Sequence, residues 1–237
     1  GGLINEGEIS TRLGLKGIPY LAEKIIVERD LSFLEEYKCR YHIAQVSSKK
    51  TIEVIRKAKH DEKIFTAGVS INNLSLNEND IGDFKTFLKL SPPLRTEDDR
   101  MSLVNSINDG TIDVIVSDHK PEDEESKRLT FSQATAGATG IETLLPLALN
   151  LFHNKSVKLN KLIASLTSNP AKVLKINKGT LNNGSDADLC VLDINKPFIV
   201  EKNLLKSKSK NTPIENKKLQ GKVLKTYIKG KMVFDNN

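Results

Sequence analysis

The chain lacks tryptophan, has only two cysteines, and is poor in aromatic residues, which make up 5% of its 237 positions. Its core must therefore be packed mainly from Ile, Leu and Val. Cys39 and Cys190 lie far apart and form no CxxC pair, which indicates a reducing compartment. The longest apolar run, 141–152, is interrupted by polar residues and proline and is too short to cross a bilayer. No signal peptide opens the chain, so we expect a cytoplasmic protein that does not contact a membrane.

The charge is positive, with a formal net value of +6 and a pI near 9.1. Lysines are spread along the chain and are densest near the C-terminus, where few aromatic side chains could stack on bases. A solvated lysine-rich surface explains this pattern, and we expect no nucleic-acid partner. Binding of nucleic acid or another anion through the stretch 202–218 stays open as an alternative.

The order of elements predicts an α/β fold with a parallel sheet. We predict helices over 19–38, 49–59, 96–108, 140–152 and 159–176, the last broken near Asn169–Pro170, and strands over 40–46, 63–70, 87–90 and 112–117. Residues 1–17 read as a loop and 121–127 as a solvated acidic loop. Only about four βα units are present, whereas a complete barrel of about 250 residues has eight.

From Gly179 onward the pattern changes. Residues 188–194 and 219–235 alternate apolar and polar side chains around glycine turns, which is typical of a small antiparallel β module. The basic stretch 202–218 between them is predicted to be an exposed connection.

One stretch, 109–121, carries the strongest site signal. Its sequence DGTIDVIVSDHKP predicts a buried strand that ends in Asp118 and His119. Polar residues that follow the carboxyl end of a barrel strand face the active-site mouth. An aspartate after a strand is equally typical of a helix cap or a turn, so both interpretations stay open.

Seven stretches, taken together and in order, resemble the dihydroorotases of the amidohydrolase superfamily. They are NEGEISTRLGLKGIP (5–19), YHIAQVSS (41–48), SPPLRTEDDR (91–100), the stretch 109–121, GIETLLPLAL (140–149), TSNPAKVL (167–174) and LKSKSKNTPIENKKLQGKV (205–223). The resemblance implies the C-terminal half of a TIM-type (β/α)8 barrel over 1–178 and a C-terminal β-sandwich module over 179–237. The N-terminal half of the barrel, with its H-x-H metal pair, is then missing from this chain.

The family chemistry implied by the resemblance is zinc-dependent opening of a cyclic amide, dihydroorotate to carbamoyl aspartate. Asp118 matches the aspartate that serves as metal ligand and catalytic base. The two histidine ligands expected in this half are replaced by Gln45 and by Asn72 or Asn73. Neutral amides are far poorer zinc ligands than imidazoles, so we expect zinc to be absent or weakly bound.

The resemblance also assigns substrate-binding positions to Ser91, Glu122, Ala136 and Gly137. Ser91 stands where the family has an asparagine, and Glu122 where it has a histidine, so a carboxylate now faces the expected substrate carboxylate. Two of the remaining histidines lie near the motifs. His42 lies at an odd separation from Gln45 and should point to the opposite face of the strand, and we expect His119 to be a structural partner rather than a ligand.

Two functions are consistent with this pattern. The first is a non-catalytic dihydroorotase-like protein, a homo-oligomer that serves as an assembly partner of aspartate carbamoyltransferase. The second is an active zinc-dependent dihydroorotase with a reduced metal site, in which Asp118 acts as the base.

Overall fold

The computed structural model describes residues 1–61 and 64–236, so Lys63, the first residue of the predicted strand 63–70, and Asn237 of the predicted module lie outside the described residues. The fold is α/β, as predicted, with two parallel sheets and one antiparallel sheet. The parallel pair is β1 (Ile4–Asn5) with β2 (Gly17–Ile18), and the larger parallel sheet has the order β3 (His42–Ile43), β4 (Thr66–Ser70), β5 (Val114–Val116).

Helices connect these strands, as is usual for parallel pairing. They are α1 (Glu8–Arg12), α2 (Leu21–Glu36), α3 (Lys49–His60), α4 (Ile71–Ser75), α5 (Glu97–Asp109), α6 (Glu124–Arg128), α7 (Leu144–His153), α8 (Leu159–Leu166) and α9 (Ser168–Leu174). Short 3-10 turns occur at Glu78–Ile81, Thr86–Leu88 and Lys202–Leu204.

The two best-defined helix starts follow from local sequence. The Ser48 side chain accepts a hydrogen bond from the Thr51 amide and caps α3, which begins at the next residue. Thr96 and Asp99 form a reciprocal capping box at the start of α5. α5 ends at Asp109 and is followed by Gly110, whose φ of 81° is accessible to glycine at no steric cost. Local chemistry therefore places both helices where the sequence predicts them.

The antiparallel sheet consists of β6 (Leu189–Ile199), β7 (Lys218–Ile228) and β8 (Lys231–Asp235). It packs against α7, where a Cβ at Gly221 would lie 2.2 Å from Leu149 Cδ1. Ile214 and Leu219 are buried in the same core as the parallel sheet. The module predicted after Gly179 thus shares its core with the rest of the chain.

Several local predictions were wrong. Residues 87–88 lie in the 3-10 turn Thr86–Leu88 and residues 89–90 have no regular secondary structure, so the predicted strand is absent there. Residues 1–17 contain β1, α1 and the start of β2 instead of a loop. The acidic loop contains α6, with a buried lysine, and the connection 202–218 buries Asn211, Thr212 and Ile214. The break near 169–170 lies at Thr167, two residues earlier. Among the described residues, no helix combines the length and apolar character needed to span a membrane.

Candidate functional site

Two polar side chains meet at the carboxyl edge of the parallel sheet. Gln45 lies two residues beyond β3, and Asp118 lies two residues beyond β5. Although 73 positions separate them in sequence, Gln45 Nε2 donates a hydrogen bond of 2.8 Å to Asp118 Oδ1. A carboxylate can only accept, so the amide must present its NH2 group. The structure therefore brings together the two residues that the sequence predicts for one site.

Asp118 is not a helix cap. The next helix, α6, is capped by Asp123, whose side chain accepts from the Ser126 amide. Asp118 itself is half-buried and has a φ of 46°, a left-handed conformation uncommon for residues other than glycine. The cap interpretation is therefore wrong for Asp118, whereas its left-handed conformation is one that aspartate adopts in turns.

The asparagine pair lies at the same edge, in α4 directly after β4. Asn73 is buried and its Nδ2 donates to the Pro93 carbonyl over 2.9 Å. Asn72 is 1% exposed, and within the described residues neither of its amide side-chain atoms has a hydrogen-bond partner. Both asparagines are thus enclosed, and Asn73 is engaged by the protein backbone.

The two histidines near the site are held by other groups. His119 Nδ1 accepts from the backbone amides of Gly140 and Ile141, at 3.1 and 3.3 Å. His42 Nδ1 lies 2.8 Å from Thr66 Oγ1, and burial lowers the pKa of its imidazole. Both imidazoles therefore have partners of their own within the fold.

The segment that follows β5 lies against residues 136–140. His119 forms a parallel bridge with Ala138, and the Lys120 amide donates to the Ala138 carbonyl over 2.8 Å. Gly140 is required here, because a Cβ would lie 2.1 Å from the Ser117 carbonyl oxygen. Residues 136–140 are therefore immediate neighbours of Asp118.

The expected substrate positions fall partly in this region. Glu122 packs on Gly137, with its Cγ and Oε1 each 3.1 Å from where a Cβ of Gly137 would stand. Ala136 precedes Gly137 and is half-buried. Ser91 is exposed and precedes a cis peptide bond to Pro92. The structure brings Glu122 into contact with Gly137, beside Ala136.

A cavity of about 520 Å³ opens beside Glu122. Its walls come from the segment 121–124, from Phe87, and from the connection 202–211, which contributes Lys202, Lys208, Lys210 and Asn211. Asn211 is buried, and its Nδ2 donates to the carbonyls of Lys120 and Gly137. The connection 202–218 thus forms one wall of the region around the site.

One buried polar group beside the site was missed by sequence reasoning. Arg95 is 4% exposed, and its guanidinium donates to Ser47 Oγ, Asn5 Oδ1 and the Ile18 carbonyl at 3.0, 2.8 and 2.7 Å. Glu23 accepts from the amides of Ser47 and from that of the next residue. This network fixes the chain two residues beyond Gln45. In the sequence, burial of Arg95 was indicated only by its position directly after the apolar residues 92–94.

The residues that this chain contributes to the site do not by themselves form a zinc-binding set. Within residues 1–61 and 64–236 no group of three or more His, Cys, Asp or Glu side chains is arranged to hold a metal. Asp118 faces an N–H donor from Gln45, and the asparagines offer neutral amide oxygens, which hold zinc poorly. The residues of this chain that gather at the site are therefore suited to hydrogen bonding.

A model of the Amidohydrolase family matches residues 9–233. Among curated proteins, the chain is 42% identical to a dihydroorotase of Ehrlichia canis, over 98% of this chain and 52% of that protein. It is also 42% identical to a dihydroorotase of Acetivibrio thermocellus, over 98% of this chain and 55% of that protein. The chain thus spans about half the length of the curated relatives it matches.

Solved structures give a consistent result. An L-hydantoinase (dihydropyrimidinase) from Arthrobacter aurescens has a TM-score of 0.87 and 28% identity, over 97% of this chain and 52% of that chain. A dihydropyrimidinase from Brevibacillus agri NCHU1002 has a TM-score of 0.86 and 21% identity, over 92% of this chain and 50% of that one. The fold described above is thus similar to half of each of these chains.

Proposed function

The chain belongs to the amidohydrolase family, and from that premise we propose that it is a dihydroorotase-like component of pyrimidine biosynthesis that does not catalyse the hydrolysis itself. The observation that carries the proposal is the 2.8 Å hydrogen bond from Gln45 Nε2 to Asp118 Oδ1. An active hydrolase of this kind would need Asp118 to face a cation and a bound water. In this chain the carboxylate instead binds a neutral amide.

The proposal includes the architecture of the complete protein. Residues 1–178 supply half of a barrel, the N-terminal half supplies the remaining strands, and 179–237 form the terminal β module. Exposed apolar side chains at α2 support a further contact, since Ile26 and Phe33 of the helix and Tyr37 directly after it are 44%, 55% and 61% exposed. Apolar surfaces of this kind are common where another chain segment or subunit packs.

A protein of this family that does not catalyse hydrolysis can still act as a structural component of a complex. We propose that the protein forms a homo-oligomer and associates with aspartate carbamoyltransferase, which a retained scaffold without its metal chemistry would still permit. Co-expression with that transferase followed by size-exclusion chromatography with light scattering tests the association. A complex that forms with the wild type and is weakened by Phe33→Ser supports it, and separate elution of the two proteins contradicts it.

The loss of catalysis is tested by metal content and turnover of the full-length protein. We expect far less than one zinc per chain by elemental mass spectrometry, and no dihydroorotate hydrolysis. The double variant Gln45→His with Asn72→His should raise the zinc content, whereas Gln133→His, at an exposed position, should not. Stoichiometric zinc together with turnover in the wild type would refute the proposal.

The second candidate is an active dihydroorotase with a reduced metal site, favoured by the 42% identity to curated dihydroorotases. In that case Asp118 is the proton acceptor and donor, and Asp118→Ala should abolish hydrolysis by the full-length protein while leaving the fold intact. Activity that survives this substitution would exclude the mechanism.

A further inference from the structure

Two lysines, Lys127 and Lys89, are buried beside the site and bind a neighbouring loop. Lys127 of α6 is 1% exposed, and its Nζ donates to the carbonyls of Thr135 and Gly137 at 2.7 and 3.0 Å. Buried ammonium groups are rare because desolvation of the charge is costly. Here hydrogen bonds to backbone carbonyls of a single loop, 131–137, offset the cost of removing the ammonium from water.

Lys89 binds backbone carbonyls at the beginning of that loop. It is also buried, and its Nζ donates to the carbonyls of Phe131 and Ser132 at 2.8 and 3.1 Å. Its own carbonyl accepts from the Gly137 amide over 2.9 Å. Both ends of the loop 131–137 are therefore fastened by lysine ammonium groups.

The fastened loop leads directly into the site. Its last residue, Gly137, precedes Ala138, which forms the bridge with His119 next to Asp118. The Gly137 carbonyl accepts from both Lys127 and Asn211. A displacement of this peptide would move the 136–140 segment that lies along Asp118 to Lys120.

We propose that Lys127, assisted by Lys89, is a positioning residue that holds the Thr135 and Gly137 carbonyls against the site, and that opening of the loop is linked to the protonation of Lys127. The inference rests on the proposed function only in placing this loop at the same site. It requires neither metal nor turnover.

The charged groups around Lys127 determine the direction of the linkage. Glu122 attracts the ammonium and Lys89 repels it, while Glu124 and Arg128 on the same helix are exposed and pair with each other. Burial is the largest effect and lowers the pKa of Lys127 from 10.5 to about 8. When the loop opens, water reaches the ammonium and its pKa returns toward 10.5.

The direction of the pH effect follows from the protonation of Lys127 in the closed and open states of the loop. Between pH 8 and 10.5 the closed loop has released the proton while the open loop retains it, so rising pH disfavours opening. The limiting slope is about a tenfold decrease in the opening equilibrium constant for each pH unit. Below pH 8 both states carry the proton, and the equilibrium should not depend on pH through this group.

Amide hydrogen exchange of the loop tests the inference on the full chain. Exchange in 131–137 is measured by pulse labelling and mass spectrometry between pH 7 and 10, and is corrected for the intrinsic rate at each pH. We expect wild-type protection to be flat below pH 8 and to rise above it. Lys127→Met should lower protection about tenfold at pH 7, through loss of two hydrogen bonds, and should reduce the rise.

Two further variants separate positioning from general damage. Burial also lowers the pKa of Lys89, so the test variant is Lys127→Arg combined with Lys89→Arg. It keeps two charged donors that do not titrate in this range, and the loop should be protected without the rise even if Lys127→Met fails to fold. Lys120→Met removes an exposed lysine nearby and should behave as the wild type does. Flat wild-type protection across pH 8, or a rise that persists in the double arginine variant, would overturn the inference. Detection of zinc and turnover would refute the proposed function and leave this result unaffected.

Discussion

The buried guanidinium of Arg95 allows a quantitative test of what holds the site in place. Arg95→Met keeps most of the apolar stem but removes three hydrogen bonds, to Ser47 Oγ, Asn5 Oδ1 and the Ile18 carbonyl. These acceptors lie on three separate segments, near the end of β3, in β1 and in β2. The substitution therefore disconnects the parallel pair β1–β2 from the chain that carries Gln45.

The magnitude follows from the contacts. Each hydrogen bond from a charged donor contributes roughly 1.5 kcal/mol or more, and unpaired buried acceptors add a desolvation cost. Removal of one member of a buried charged network costs about 3–5 kcal/mol. We therefore expect Arg95→Met to lower the free energy of unfolding by about 4 kcal/mol, a large share of the roughly 5–15 kcal/mol that holds a typical domain together.

Urea unfolding followed by far-UV circular dichroism is the appropriate assay, because the chain contains no tryptophan. Arg128→Met is the matched control, since Arg128 forms an exposed ion pair with Glu124, and such pairs contribute about 0.5 kcal/mol. If Arg95→Met and Arg128→Met differ by less than about 1 kcal/mol, the reasoning about the buried network is wrong.

Three further predictions concern single residues. Burial raises the pKa of Glu78 above its ordinary value of 4.5, so the folded chain binds this proton more tightly than the unfolded chain does. Its stabilising contribution is present below pH 4.5 and is lost as pH rises through the folded pKa; urea unfolding should show this loss in the wild type and not in Glu78→Gln. Gly140→Ala places a Cβ against the Ser117 carbonyl and should cost about 3 kcal/mol in the same assay. Ser48→Ala removes the cap on the Thr51 amide and should cost about 1 kcal/mol of α3 stability, measured as a lower urea midpoint.

A specific result would contradict each of the three predictions for Glu78, Gly140 and Ser48. A Glu78→Gln variant with the wild-type pH profile would show that another group titrates. Gly7→Ala is the control for Gly140→Ala, because the nearest atom to its Cβ lies 3.8 Å away and its φ of 164° is ordinary extended backbone. Equal costs for the two glycine substitutions would contradict the close-approach argument. An unchanged urea midpoint in Ser48→Ala would contradict the cap.

Local signals predicted the starts of two of the longer helices. The Ser47–Ser48 pair marked the start of α3, and Thr96 with Asp99 marked the start of α5, because a cap is a contact between residues three positions apart. The strand predicted over 112–117 is found as Val114–Val116, since its apolar residues have no alternative to burial. The strand predicted over 87–90 was wrong for a related reason. A short apolar run before two prolines indicates burial but does not distinguish a strand from a buried turn.

The sequence by itself determined the α/β class, the two capped helices and the identity of the polar residues that follow β3, β4 and β5. Only the tertiary structure decided that Gln45 donates to Asp118 and that Lys127 and Lys89 fasten the loop 131–137. The physical reason is the separation of the partners. A hydrogen bond across 73 positions depends on strand order and register, and a buried lysine can be anticipated only when the carbonyls that surround it are known.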